Sequence, residues 1–335
     1  MNYITFFRKN VNYITIKKDT FASMTLLSFF GAEKILLNEI TNLKNSTPDI
    51  IIWAAPIMFV LVLIEFLVQR YQNKDYYDKK ETFASVCVGI GNVFISAVIK
   101  ILLFYAGVRI YNALPWRMPL NWWTFIPCYL LIDFCSYWAH NISHNQRFWW
   151  ATHVVHHTGE HYNLTISFRL SWMQYLKIIF MLPVFLMGFH PVIFFVANQI
   201  AVLFQFWVHT EYIRKMPRFF EYIFATPSNH RVHHGSQEKY INKNYGATFI
   251  FWDRLFGTYQ KEEEQVIYGI TTSIENKGNP FHVNFHEYAD MIQDVKTAKG
   301  WRKKWFYIFG NPLKIAQLKK EKLQKSNPVV YKKAV

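Results

Sequence analysis

The stretch WWTFIPCYLLIDFCSYWAHNISHNQRFWWATHVVHH, residues 122–157, joins an apolar run to two groups of histidines. Within this stretch, Asp133 is the only charged residue before His140, so the first half is apolar enough for a membrane helix. In the second half, the spacings H-N-I-S-H and H-V-V-H-H place histidines three or four residues apart. Side chains at that spacing share one face of a helix. Each group therefore presents its imidazoles in one direction, as a metal site requires.

The chain has 13 histidines, and eleven of them fall between His140 and His234. Eight lie in three tight groups, the third being H-R-V-H-H: His140, His144, His153, His156, His157, His230, His233 and His234. Without a metal, imidazoles packed so closely would repel one another once protonated and would leave buried donors unpaired. Imidazole is a ligand for iron, zinc, copper and nickel, so the pattern predicts metal binding.

The composition predicts an all-α integral membrane protein. Of the 335 residues, 52% are hydrophobic; they come in blocks, and the net charge of +15 lies between and after these blocks. A helix needs about 20 mostly apolar residues to cross a bilayer, and four blocks qualify: 50–68, 83–106, 122–138 and 172–208. The last block is about twice the length of one span and contains Gly188-Phe189-His190-Pro191, which predicts a helical hairpin. We therefore expect about four membrane spans or half-span pairs.

The sequence divides into three parts. Residues 1–49 form an N-terminal segment, in which 24–40 have the pattern of an amphipathic helix. Residues 50–260 hold the spans and the histidine groups, and 261–335 form a basic C-terminal tail. Under the positive-inside rule the tail is cytoplasmic, and even numbers of crossings place the histidine groups on the same side. Attraction to anionic lipid explains the tail better than nucleic-acid binding, since no nucleic-acid recognition motif is present.

The ligand types narrow the class of metal site. A structural zinc site usually includes cysteine, and a catalytic zinc site needs only three protein ligands. The chain has neither the H-E-x-x-H motif of zinc proteases nor the E-x-x-H pairs of soluble di-iron bundles. Eight or nine histidines are enough for two ions with open coordination positions. A histidine-rich two-metal site beside a membrane favours oxygen activation against an inert C–H bond.

The motifs resemble the fatty acid hydroxylase and sterol desaturase superfamily of membrane di-iron enzymes. The order H-x-x-x-H, H-x-x-H-H, H-x-x-H-H between apolar spans carries the resemblance. Within the superfamily the chain is most similar to the alkylglycerol monooxygenase branch. The similar stretches are D-F-C-S-Y-W-A-H from Asp133, H-H-T-G-E-H-Y-N-L-T from His156, F-W-V-H-T-E from Phe206, P-S-N-H-R-V-H-H-G from Pro227 and W-D-R-L-F-G-T-Y from Trp252. Asn141, Asn145 and Asn242 depart from the family's usual residues.

The resemblance implies a helical membrane domain with a cytosolic helical cap that carries the ligands. The eight grouped histidines are the implied ligands, and His209 in W-V-H-T-E is a ninth. Asp133 lies seven residues before His140, so we expect it either to orient a ligand imidazole by accepting its second N–H or to pair with a polar group of another span. Glu160 and Asn163, beside the second group, are further candidates for a supporting role. The remaining histidines are expected to be structural: His161, His190, His282 and His286.

The implied reaction is hydroxylation of a lipid C–H bond with dioxygen at two iron ions. On an alkylglycerol, hydroxylation beside the ether oxygen gives a hemiacetal that collapses to an aldehyde and a glycerol. The reductant in that branch is tetrahydrobiopterin, whereas other branches use a redox protein as the electron donor. One alternative is a sterol, carotenoid or fatty acyl hydroxylase or desaturase with a protein donor. A divalent-metal transporter is a weaker alternative, because its ligands would lie near the bilayer midplane.

Overall fold

The structure is a computed structural model that describes residues 30–271 and 274–326. Within these residues all regular structure is helical, apart from two isolated β-bridges. The α-helices are α1 (Ile40–Ser46), α2 (Ile50–Tyr71), α3 (Lys79–Ala113), α4 (Trp122–Asn145), α5 (Arg147–Ala151), α6 (Val154–His157), α7 (Leu182–Leu186), α8 (Pro191–Phe204), α9 (Arg218–Ile223), α10 (Pro227–His234), α11 (Phe251–Phe256), α12 (Pro280–Thr297), α13 (Trp301–Phe309) and α14 (Pro312–Ser326). Two 3-10 helices cover Leu164–Phe168 and Gln174–Met181. The predicted all-α class is confirmed.

Polar side chains begin the three long helices. Asp49, Asp78 and Asn121 each accept a hydrogen bond from an amide in the first turn of α2, α3 and α4. Such caps satisfy N–H groups that have no partner within the helix. At the other end of α3, Leu114 is extended and precedes Pro115. A proline disfavours helical conformation in the residue before it, so α3 ends there.

Two segments are long and apolar enough to cross a membrane: Ile40–Tyr71, which contains α2, and Lys79–Ala113, which is α3. In the most apolar 18-residue stretch of each segment, only 6% and 11% of the stretch, respectively, is buried against the protein. Their apolar side chains therefore face outward, which is the arrangement that lipid rather than water favours. The first two predicted spans, 50–68 and 83–106, are confirmed as apolar helices of membrane length.

The third predicted span, 122–138, falls in α4, which is not among the described helices that have both the length and the apolarity of a span. Instead α4 is a core helix. Its residues Cys128, Ile132 and Cys135 pack with α7 and α8 in the largest cluster of buried apolar side chains. Of the described helices, α2 and α3 therefore meet both measures of a full span, and α4 returns the chain from the loop after α3 to the histidine groups with one face in the core.

The region 172–208 forms the predicted hairpin. The 3-10 helix Gln174–Met181 continues into α7, and the chain then reverses at Gly188, where φ is +77°, to enter α8. Glycine fits here because a Cβ atom would lie 2.7 Å from the carbonyl oxygen of Trp116. The turn pairs with the loop after α3, since Met118 N–H donates to Gly188 O at 2.7 Å. Both arms are shorter than a full span.

The loop between α2 and α3 lies at the same end of the molecule as the histidine groups. The Asn163 amide donates to Tyr76 O at 2.6 Å. Near the end of α2, the buried Glu65 carboxylate accepts from Leu164 N–H at 2.8 Å. The loop after α3 and the hairpin turn lie at the opposite end. This arrangement agrees with the even number of crossings expected between the loop and the histidine groups.

The predicted helix at 24–40 lies partly outside the described residues, which begin at residue 30. From 31 to 39 the chain is not helical, so the prediction is wrong for these residues. Gly31 forms a β-bridge with Arg117, and Ala32 N–H donates to Arg117 O at 3.0 Å. Backbone groups that a helix would use are bonded to the loop after α3 instead.

The predicted tail, 261–335, folds back onto the protein as far as it is described, with three helices, α12 to α14. Arg147 at the start of α5 anchors them. Its guanidinium donates to Glu287 and Asp294 of α12, each at 2.6 Å, and its backbone N–H donates to Gly310 O between α13 and α14. The Arg147 side chain is only 2% exposed. The C-terminal region is therefore part of the helical assembly around the histidines.

Candidate metal centre

Three helical stretches carry the eight grouped histidines, as one pair and two triplets. His140 and His144 lie one turn apart at the end of α4, and α6 with its N-cap carries the second group. The third group lies on α10, all of whose residues are buried. Thr226 caps α10 by accepting the Asn229 N–H, and Pro227 follows in the first turn, where its missing N–H costs nothing.

The imidazoles form two groups, and within each group the ligand atoms lie within 4.8 Å of one another. The five-histidine group is His140, His144, His153, His157 and His233. The four-histidine group is His156, His209, His230 and His234. The structure thus brings together all eight grouped histidines and the suggested ninth, His209. Because α6 and α10 each contribute to both groups, the two groups are adjacent.

The ring nitrogens face one another at the spacing of ligands that share an ion. His140 Nε2 is 2.8 Å from His153 Nε2 in the first group. In the second, His209 Nε2 is 3.0 Å from His156 Nε2 and 2.9 Å from His230 Nε2. Two nitrogens each about 2.1 Å from one ion, at right angles, would lie about 3 Å apart. The residues present therefore fit two metal ions, one in each group.

Backbone carbonyls fix the orientation of several rings. The Nδ1–H of His140 donates to Tyr245 O at 2.8 Å, and that of His209 donates to Gln205 O at 2.7 Å. A proton held on Nδ1 leaves the lone pair of Nε2 directed into the group. Ligand histidines commonly have a partner of this kind on their second nitrogen, which sets the tautomer and the ring orientation.

Within the two groups, the buried Nε2 of His144 has no hydrogen-bond partner. An unpaired polar atom in the interior is costly, and a metal ion would supply the missing partner of a ligand nitrogen. Burial lowers the pKa of His209 to about 3 and that of His233 to about 4, although hydrogen bonds to the backbone act in the opposite direction. The neutral form, which is the ligand form, is therefore favoured.

The loop before α11 presents its carbonyls to the five-histidine group. Asn242 and Asn244 have φ of +59° and +57°, a left-handed conformation that asparagine tolerates better than most residues. Between them, Lys243 O accepts from His233 Nδ1–H at 3.0 Å. The asparagine at 242, which departs from the family pattern, therefore stands at a position where the backbone turn suits it.

Asp253 is a supporting residue that sequence reasoning missed. Its carboxylate accepts from the N–H groups of Tyr245 and Gly246, both at 2.7 Å, and from the Thr258 hydroxyl at 2.6 Å. It therefore holds the peptide whose carbonyl orients His140. The only signal in the sequence was its place in the stretch W-D-R-L-F-G-T-Y, which carries part of the family resemblance.

Two buried arginines hold the short helices in place. Arg169 is fully buried and donates to Val155 O at 3.1 Å and to the Thr158 hydroxyl at 2.9 Å, at α6. On α10, Arg231 forms a bidentate ion pair with Glu262, at 2.7 and 2.8 Å. A helix as short as α6 has little stability of its own, so such contacts position its histidines.

Asp133 does not orient an imidazole. Its carboxylate accepts from Thr248 N–H at 2.8 Å, Phe249 N–H at 3.3 Å and the Trp252 indole at 2.9 Å. The expectation failed because seven residues along a helix, although on one face, correspond to a separation of about 10 Å. Asp133 instead holds α4 against the loop before α11.

Glu160 and Asn163, the other two candidates for a supporting role, form their bonds with residues other than the ligand histidines. Glu160 forms an ion pair with Lys277, and the Asn163 side chain accepts from Thr165 N–H at 3.0 Å to cap a 3-10 helix. The remaining histidines lie outside both groups, as expected. His161 contacts Glu81 and Asp75, His190 caps α8, and His282 and His286 lie on α12.

A cavity borders the histidine groups, and a hydrophobic groove lies along α4. A cavity of about 290 Å³ is bounded on one side by His144, His157, His233 and His234, which come from both groups, and on the other by α12 and α14. A wholly hydrophobic groove of about 360 Å³ runs between α4 and the first arm of the hairpin, lined by residues such as Phe134, Trp138, Phe180 and Leu186. The cavity gives a small molecule access to the ligands.

Comparison with known proteins points to the same family as the histidine motifs of the sequence. Residues 125–258, which hold all nine histidines, match the family model described as Fatty acid hydroxylase. Residues 125–258 therefore carry a match to a fatty acid hydroxylase domain, in agreement with the resemblance of the motifs.

The chain is similar to alkylglycerol monooxygenases. It is 34% identical to that of Homo sapiens over 276 residues, which are 80% of this chain and 60% of the relative. It is 32% identical to that of Xenopus tropicalis over 286 residues, 81% of this chain and 61% of the relative. A Delta(7)-sterol 5(6)-desaturase of Leptosphaeria maculans is 28% identical over 186 residues, 51% and 48% of the two chains. The chain thus spans about three fifths of the length of the monooxygenases. No solved structure matches it.

Proposed function

We propose that this chain is a membrane-bound non-haem di-iron oxygenase that hydroxylates a C–H bond of a lipid. The observation that carries the proposal is the division of nine imidazoles into a group of five and a group of four. Imidazole suits iron, and neither group contains a thiolate or carboxylate among the described residues. When bound, iron supplies the activation of dioxygen. Hydroxylation consumes dioxygen, two electrons and two protons, places one oxygen atom in the C–H bond and releases the other as water.

The chain's own residues hold the ligands ready. Backbone carbonyls from the loop before α11 fix the ring orientations of His140 and His233. Asp253 holds the backbone of that loop, and Arg169 holds α6. Such prior positioning means that little reorganisation is needed when a metal binds. The cavity beside both groups then brings a substrate carbon to the ligands while protein surrounds it.

An ether lipid of the alkylglycerol type is the proposed substrate. It is supported by the identity of about one third to monooxygenases that carry this name, and by the outward-facing apolar helices, which give the protein access to a bilayer. A sterol, carotenoid or fatty acyl lipid is the second candidate, favoured by the similarity to a sterol desaturase. A metal transporter is less well supported, since the histidine groups lie near the loop between α2 and α3 rather than midway along these helices.

The electrons come from outside the chain. Tetrahydrobiopterin is the first reductant to test, because the sequence motifs resemble the monooxygenase branch that uses it. A redox protein is the second. Iron-loaded protein supplied with dioxygen, either reductant and a panel of ether, sterol and acyl lipids should release an aldehyde and a glycerol from the alkylglycerol. Oxidation of a sterol or acyl lipid alone would move the proposal to the second candidate, and oxidation of no lipid would contradict it.

We place the histidine groups on the cytoplasmic side, with the basic C-terminal region. Asp75 lies in the loop beside the histidine groups, and Glu33 lies at the opposite end of α3; both are exposed. In a background without native cysteines, Asp75→Cys should react with an impermeant reagent from the cytoplasm and Glu33→Cys should not. The reverse result would invert the orientation.

A further inference from the structure

A second apolar surface lies apart from α2 and α3, on the short helices α9 and α11. Five of its large side chains, which together are called the α9–α11 face, are between 40% and 67% exposed: Phe219, Phe220, Tyr222, Leu255 and Phe256. The backbone joins the two helices, since Phe224 forms a β-bridge with Phe249 and Ile250 N–H donates to Ile223 O at 2.9 Å. A patch of this kind usually marks a binding surface, because water is a poor medium for it.

The α9–α11 face lies at the depth of a membrane span. Gln199 of α8 accepts an N–H of the first residue of α2 at 2.8 Å, and Thr210 donates to Glu65 near the end of α2. Between these two levels Phe204, the last residue of α8, packs against Phe224, with ring centroids 6.2 Å apart. The chain after α9 therefore lies beside α2 and not beyond its end.

The same face continues into the apolar groove along α4. The ring of Phe256 lies 5.1 Å from that of Trp138 and 6.3 Å from that of Phe134, and both of these residues line the groove. The other lining residues, from α4 and from the first arm of the hairpin, are also apolar. The groove and the face therefore form one apolar surface that extends from the hairpin to α9.

Basic residues border the α9–α11 face. Arg214 and Arg218 are exposed and form no ion pair within the part of the chain that the structure describes. Arg254 lies over the ring of Tyr222, with its guanidinium carbon 4.5 Å from the ring centroid. Glu221 is the one acid of α9. Aromatic rings beside cations fit the headgroup level of a bilayer, where the rings contact acyl chains and the cations contact anionic phosphates.

We propose that the α9–α11 face is inserted into the bilayer leaflet on the side of the histidine groups, with its arginines on anionic phospholipid. In the chain α9 lies between His209 and His230, so the segment enters and leaves on one side without crossing. Its depth is about 5–10 Å, as for amphipathic helices in the interface. The backbone tolerates this depth because its N–H groups are bonded, those of Thr248 and Phe249 to Asp133.

Spin labels on the protein in lipid nanodiscs test the insertion. Single cysteines are placed, in a background without the native ones, at four positions that are 63–67% exposed: Phe219, Leu255, Val93 and Ile267. Val93 on the outer face of α3 is the lipid control, and Ile267, which follows the exposed Glu264 and Gln265, is the aqueous control. Collisions of each label with dissolved oxygen, which concentrates in lipid, are compared with collisions with a polar nickel chelate.

The ratio of oxygen to nickel collisions at Phe219→Cys and Leu255→Cys should match that at Val93→Cys. It should exceed the ratio at Ile267→Cys at least about tenfold, because moving a polar solute into hydrocarbon costs several kcal/mol. Labels on two separate helices keep the test decisive if one variant does not fold. A ratio as low as that of Ile267→Cys at either label would overturn the proposal. Shielding of the labels from both reagents would also overturn it, since protein, such as a second copy of the chain, would then cover the face.

A charge reversal tests the arginines. In phosphatidylglycerol nanodiscs, adding Arg218→Glu to Leu255→Cys should lower the collision ratio at least about fivefold, since each charge near an anionic surface contributes about 1 kcal/mol. The fall should be smaller in phosphatidylcholine, which has no net charge. Lys239→Glu makes the same change beside Glu263 and Glu264 and should keep the original ratio. An equal fall in both lipids would overturn the contact with anionic phospholipid. Neither measurement depends on bound iron or on turnover.

Discussion

The spans α2 and α3 bury the opposite kind of residue from the cap, which is the name used here for α5, α6 and α10 with the loop before α11. On α2 and α3, large apolar side chains such as Phe59 and Phe94 are 67% and 72% exposed, because lipid is the medium that they fit. On α10, every residue is buried although most are polar. Each buried polar group needs a partner, and an unpaired one costs about 1–3 kcal/mol. In the cap the partners are carbonyls and carboxylates, and under the proposed function metal ions would be the partners of the ligand nitrogens. The cap therefore depends on specific pairs, whereas the spans depend on their surroundings.

The largest effect is expected where a metal partner is lost. Replacing His153 or His233 with alanine should abolish turnover, a greater loss than the roughly 100-fold typical for residues that only support a ligand. The protein should still insert into the membrane, because the spans do not depend on the site. His282→Ala on α12 is the control and should retain activity. Product analysis and membrane fractionation check both expectations. Full activity in His153→Ala would remove that residue from the ligand set.

The next effect concerns the buried ion pairs of the cap. Arg147→Ala leaves Glu287 and Asp294 without their buried partner, which typically destabilises a protein by about 3–5 kcal/mol. The thermal unfolding midpoint in detergent should fall clearly. Lys239→Ala, which removes exposed ion pairs, should leave the midpoint unchanged within error. Equal midpoints for Arg147→Ala and the wild type would show that α12 to α14 do not contribute to the stability of the cap.

A smaller effect should separate two buried aspartates. Asp253→Asn alters the peptide whose carbonyl orients His140, so iron affinity should fall by about tenfold, the lower end of the range for supporting residues. Asp133→Asn changes contacts that hold α4 to the same loop at other residues, so it should reduce stability more than iron affinity. Iron titration and thermal unfolding of both variants make the comparison. A larger loss of affinity in Asp133→Asn would reverse the assigned roles.

The smallest effect is the difference in unfolding free energy lost at a buried and at an exposed valine of α3. Val88 is fully buried where α3 meets the cap, and Val93 is 65% exposed on its outer face. Val88→Ala should cost roughly 1–2 kcal/mol of unfolding free energy in detergent, because it leaves a cavity. Val93→Ala has no packing to lose and should change stability by less than about 0.5 kcal/mol. Equal losses would mean that the outer face of α3 is packed against protein.

The sequence predicted which histidines come together because their spacing is local. Histidines three and four residues apart must share a helix face, and His209 stood out through its motif. The division into two groups was not predictable, since neighbours on α6, His156 and His157, belong to different groups. That division depends on how α4, α6 and α10 pack.

Residues that support the site were predicted poorly because their contacts are long-range. Asp133 shares a helix face with His140 but is two turns away from it, and it bonds to a loop more than 110 residues later. Asp253 acts on His140 only through the backbone of Tyr245. The C-terminal region was predicted as a basic tail from its charge. Arg147, whose ion pairs bring this region onto the cap, gives no sign of its partners in the local sequence.

The central claim is that the nine histidines hold two metal ions, and iron content tests it most directly. The protein should be purified, stripped of metal, reconstituted anaerobically with Fe(II) and analysed for metal per chain. A group of five and a group of four imidazoles predict close to two iron ions per chain. A value near one, or retention of zinc alone after reconstitution, would contradict the two-metal account and with it the di-iron oxygenase.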